Sequence, residues 1–115
     1  MQYALLIYWD ESIRERRTEE EAEATYAEYA RIFETPGVLG GQQLQSVADA
    51  TTVRVQNGET LLTDGPFIDA KEHLGGFFLV EAEDLDAATA IAARIPAART
   101  GGAVEVRPVV EQPPR

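Results

Sequence analysis

The stretch TDGPFIDAKEHLGG, Thr63 to Gly76, gathers an Asp-Gly-Pro turn, a Lys-Glu-His run and a Gly-Gly pair. Asp64 stands at a strand end beside Gly65 and Pro66, where two roles are open to it. Its carboxylate either accepts nearby backbone N–H groups or faces a pocket as a general acid or base. Pro66 has no amide proton to offer, which leaves the Phe67 N–H as the nearer local donor. His73 is the single histidine of the chain, and imidazole is the side chain best suited to moving protons near neutral pH. Asp64 and His73 are therefore the candidate catalytic residues. On an extended segment successive side chains alternate, so Glu72 faces away from both Lys71 and His73.

Arg54 in TTVRVQ and Arg107 in AVEVRPVV each lie in mid-strand, opposite the valines of their own segment. A guanidinium in such a place needs a carboxylate or an anionic ligand. Arg54, Glu72 and Arg107 are accordingly the candidate substrate-binding residues, holding a small anion in a shared cavity with Asp64. The competing arrangement is internal pairing of the arginines with Asp64, Glu72 or Glu105, in a chain of twenty acidic against ten basic residues. One histidine and no cysteine leave only oxygen donors to complete a metal site, so no metal is expected. Gly75-Gly76 lacks the spacing and the following Lys-Ser or Lys-Thr of a phosphate loop; it suits a bulge or a close backbone passage, and no cofactor is expected.

Several elements must position these residues. YALLIYW, Tyr3 to Trp9, is a short apolar run that reads as a strand buried on both faces. Its aromatic residues suit core or dimer packing, or the wall of a cavity for a small apolar ligand. Thr18 and Glu21 have capping-box spacing at the head of a helix ended by Pro36-Gly37, with Ala22, Tyr26, Tyr29 and Phe33 as its inward stripe. Asn57-Gly58 between two alternating segments marks a hairpin. FFLVEA is a further strand; Asp84 caps a second helix with Leu85, Ala88, Ile91, Ala92 and Ile95 inward, and a last strand covers Val104 to Arg107.

This order predicts an α+β, ferredoxin-like β-α-β-β-α-β fold, an antiparallel sheet with two helices on one face. The second face would then carry Leu6, Tyr8 and a phenylalanine, an apolar surface best covered by a second copy in a homodimer. At 115 residues the chain is one domain, read as residues 1–111 with a disordered tail at 112–115. The N-terminal run is too short for a membrane span and has no basic leader, so a cytoplasmic protein without a membrane role is expected. A net charge of -10 repels phosphate backbones, and no nucleic-acid partner is expected.

TDGPF, followed by AKEHLGGFFLVEAEDLDAATAIAARIP and closed by GAVEVRPV, resembles the DGPF, or YCII-related, family over nearly the whole chain. The resemblance implies a dimeric α/β barrel, and an association with extracytoplasmic-function sigma factors through a partner or a genomic neighbour. It assigns no reaction. One branch of that family is read as enzymatic from a pocket His and Asp; here the first long helix has no histidine, and His73 follows the DGPF turn instead. Two functions stay open: acid-base chemistry on a small carboxylate or lactone, or a ligand-sensing regulatory partner without catalysis.

Overall fold

The computed structural model describes residues 1–111; the segment 112–115, read above as a disordered tail, lies outside the described residues. Six strands and three helices follow in the order β1 (Gln2–Trp9), α1 (Glu11–Glu15), α2 (Glu19–Phe33), β2 (Val38–Gln43), β3 (Thr51–Gln56), β4 (Glu59–Asp64), β5 (His73–Glu81), α3 (Leu85–Ala92) and β6 (Ala103–Pro108). β2, β5, β1 and β6 form one antiparallel sheet in that spatial order. This is the ferredoxin-like arrangement, with β1 and β5 at the centre and the long helices on one face. None of the described helices is long and apolar enough to cross a membrane.

The hairpin predicted around Asn57-Gly58 forms, with both turn residues at positive φ as a type I′ turn requires. It does not, however, supply a strand of the main sheet. β3 and β4 pair only with each other, as a separate two-stranded arm. The second sheet strand is instead Val38–Gln43, which the sequence reading passed over.

Alternation along β1 sets the layers. Tyr3, Leu5, Ile7 and Trp9 are buried beneath the helices, while Ala4, Leu6 and Tyr8 are half-buried on the opposite face. Across the ladder Leu5 sits opposite Phe78 and Val106, and Leu6 opposite Phe77 and Glu105. The core is completed by Val80, by Ile32 of α2, by Ala88 and Ala92 of α3, and by Ile95 and Ala97 beyond it. Only one face is covered by helices, which leaves the molecule 18 Å thick along its shortest axis.

Two helical stripes differ from expectation. Leu85 opens α3 and is exposed, because helix side chains lean towards the N-terminus and this one leans past the helix end. Tyr26 and Phe33, both on the stripe expected to face inward, are exposed, Tyr26 to 59%. α2 meets the sheet through Ile32, Tyr29 and Phe33 and leaves a cleft beside them that Tyr26 also lines.

Thr18 caps α2 as its spacing predicts: its hydroxyl accepts the Glu21 N–H, and the Glu21 carboxylate accepts the Thr18 N–H, each at 3.0 Å. Thr18→Ala is expected to cost about 1 kcal/mol, read as a fall in melting temperature of about 4 °C.

Candidate functional site

The cleft under α2 is built from the turn that follows β1. Asp10 is buried and caps α1, its Oδ1 accepting the Ser12 N–H at 2.9 Å and the Ser12 hydroxyl at 2.6 Å. The Ser12 hydroxyl, with its backbone N–H, holds the Asp10 carboxyl below the usual carboxylate range. Asp10 is therefore a fixed anchor for the first turn of α1. Arg14, whose N–H donates to the Asp10 carbonyl at 3.3 Å, is carried by that turn over Trp9. Its guanidinium carbon lies 3.8 Å from the indole centroid, within cation–π range.

A cavity of about 300 Å³ opens beneath, walled by Trp9, Tyr26, Tyr29, Phe33 and Phe78, with Arg14 and Arg17 also lining it. The Tyr29 and Phe78 rings stack at 6.2 Å, and Phe33 meets Phe78 edge-on at 4.9 Å. A second lobe of about 340 Å³ shares Trp9, Arg14, Arg17, Thr25 and Tyr29 with the first, and adds Asp10, Arg16 and Glu21. The two lobes make one cleft, apolar at one end and polar at the other.

Burial, and then the charge of Arg17, lower the Arg14 pKa from its ordinary value. Burial also pushes the Tyr29 phenol up, so it stays protonated and able to donate. Among the described residues no carboxylate lies within ion-pair distance of Arg14 or Arg17. Two adjacent guanidiniums facing an apolar cavity, neither in a direct ion pair, suit a carboxylate ligand, which each can grip by a forked pair of hydrogen bonds.

The five residues singled out from the sequence are not gathered here. Arg54 lies on the exposed arm, its guanidinium carbon 4.7 Å from the Phe67 ring centroid. Asp64 is exposed at the end of β4, opposite Thr51. Arg107 is on β6 and pairs with Glu105, the internal arrangement that the sequence left open. Arg54, Asp64 and Arg107 thus do not meet one another in an enclosed cavity. The DGPF corner has its own backbone logic: Gly65 has φ +99°, its N–H donates to the Ala50 carbonyl, and its carbonyl accepts the Thr52 hydroxyl, both at 2.8 Å.

Glu72 and His73 do share a cavity. It is open, about 590 Å³, and lies between the base of the arm and the sheet, with Tyr8, Phe67, Ile68 and Leu74 among its walls. The buried Nε2 of His73 has no hydrogen-bond partner among the described residues. This cavity is separate from the arginine cleft.

Sequence reasoning missed Arg14 and Arg17, and took Tyr29 as core. The available signal was DESIRERR: a capping Asp10-Ser12 pair followed by three of the ten basic residues within four positions, directly after an aromatic strand.

Sheet order and one-sided helices define a ferredoxin-like α+β protein carrying an arginine-lined aromatic cleft. The model of the YCII-related domain matches residues 1–112, and the chain belongs to that family. An uncharacterized protein of Rhizobium meliloti is 36% identical over 114 residues, a span covering 95% of this chain and 92% of the relative.

Proposed function

We propose that this YCII-related protein binds a small organic acid, or the lactone of one, in the cleft under α2 of each subunit of a homodimer. The observation that carries the reading is the Arg14 and Arg17 pair at the wall of an apolar cavity, with no carboxylate among the described residues within ion-pair distance of either. For acid-base chemistry on the bound acid or lactone, Tyr29 is the proton donor that the cleft offers, and the arginines hold the carboxylate or polarise a carbonyl. Asp10 is committed to capping α1 and takes no part in proton transfer.

Calorimetric titration of small monocarboxylates against their neutral amides tests the reading. Acids are expected to bind with a Kd below about 1 mM, equivalent to about −4 kcal/mol. The amides are expected to bind at least ~10-fold more weakly, since a charge-assisted contact is lost. Equal binding of acid and amide would remove the arginines from the site. A second reading, a ligand sensor acting through a protein partner, is favoured by the arm, whose Val53, Val55 and Leu62 stay exposed together with Phe67 and Ile68. Such a partner is where a sigma-factor association would enter. NMR of the bound acid or lactone separates the two readings: conversion marks the enzyme, and lasting binding without conversion marks the sensor.

A further inference from the structure

Gly75 is skipped in the pairing of β1 with β5: Ile7 is opposite Gly76 and Tyr8 opposite Leu74, with a bulge between them. A Cβ at Gly75 would collide with Cε2, Cζ2 and Nε1 of the Trp9 indole, so the glycine lets the ring lie against bare backbone. The same ring carries the Arg14 guanidinium at 3.8 Å. The indole thus touches both the Gly75 backbone and the Arg14 guanidinium, and that guanidinium rests on a ring seated against the sheet rather than in an ion pair. The rings of Tyr29 and Phe33, packed on Phe78, line the same cavity. The cavity lies at the small end of the ~300–1,000 Å³ span of ligand pockets. Ring walls reward a flat guest over a puckered one of the same charge and similar size, because offset and edge contacts add to simple burial.

We propose that the cleft is selective for planar aromatic carboxylates, and that Gly75 and Trp9 are positioning residues that hold Arg14 where it takes the carboxylate. This rests on the organic-acid reading above and names the class of acid.

The experiment is calorimetric titration of benzoate and of cyclohexanecarboxylate into the full chain and its variants. Wild type is expected to bind benzoate ~10-fold more tightly than cyclohexanecarboxylate. Gly75→Ala, which pushes the indole off its seat, is expected to lose ~10-fold in benzoate affinity and most of the preference. It should also shift the emission of Trp9, the single tryptophan of the chain. Should Gly75→Ala not fold, Trp9→Phe and Trp9→Leu decide: the phenyl ring keeps a plate under Arg14 and is expected to retain benzoate binding within ~3-fold, whereas leucine loses ~10-fold. A general loss of fold would weaken both ligands alike and leave their ratio unmoved. Equal binding of the two acids by wild type, or equal benzoate binding by the Phe and Leu variants, overturns the proposal while leaving the organic-acid reading intact. Failure of every acid to bind overturns both.

Discussion

Replacing Arg14 with glutamine is expected to raise the Kd for benzoate about 30-fold while leaving the unliganded protein about as stable as before. Both halves follow from the guanidinium's surroundings. A charge-assisted contact to a carboxylate contributes about 1.5–3 kcal/mol, or roughly 10- to 150-fold in affinity. Arg14 stands over Trp9 and beside Arg17, so the acid loses its best-placed cation and the local field drops with it. Removing one partner of a buried ion pair ordinarily strands the other and destabilises the fold. Here no carboxylate among the described residues stands in a direct pair to be stranded, and relief of a charge that burial and then Arg17 disfavour offsets the lost contact with Trp9.

Arg14→Lys is expected to fall between the two, keeping the charge but losing the fork and the stacked plane. Calorimetric affinities beside thermal melts of the unliganded variants check the pair of effects. A glutamine variant that melts many degrees lower while binding normally would mean that Arg14 serves the fold rather than the ligand.

The fold was legible in the sequence wherever hydrophobic period and end signals agreed. β1 announced itself by its apolar run, α2 by the Thr18 and Glu21 box, and the Asn57-Gly58 turn by its dipeptide. β2 was hidden because Gly40 and Gly41 depress its strand signal. Gly41 is nevertheless used in packing, since a Cβ there would come within 2.7 Å of the Phe78 ring. The arm misled in the opposite sense: its alternation reads as a half-buried strand, yet its valines are exposed in a single chain.

The cleft was harder to read because its parts come from separate elements and none is diagnostic alone. Arg14 sits on a five-residue helix with no long periodicity to reveal its direction, and Trp9 looks like core until the bulge at Gly75 is known. The DGPF stretch marked the family correctly. Its Gly65 and its tie to Ala50 and Thr52 are geometric, whereas Gly75 reaches the cleft only through the indole lying on it.

Leu6→Lys is expected to convert a homodimer to monomers at micromolar concentration without unfolding them. Leu6 lies at the middle of the central strand on the face that the helices leave bare, opposite Phe77 on one side and Glu105 on the other. In the proposed dimer this face packs on its own copy, and each apolar side chain that becomes covered contributes about 1.5–3 kcal/mol. A lysine there would have to leave water at the interface, at a cost of several kcal/mol, raising the dimer Kd by more than ~100-fold.

In the separated chain the same ammonium has Glu105 across the ladder, a carboxylate it would share with Arg107, so the cross-strand pair contributes at the low end of about 0.2–1 kcal/mol. The lysine is preferred to an aspartate for that reason, because a second carboxylate beside Glu105 would weaken the sheet itself and confuse loss of pairing with loss of fold. Sedimentation equilibrium of wild type and variant, with circular dichroism to confirm retained structure, reads the result. Wild type that sediments as a monomer, or a Leu6→Lys protein that remains dimeric, removes the sheet face as the interface and leaves the exposed arm as the next surface to test by the same approach.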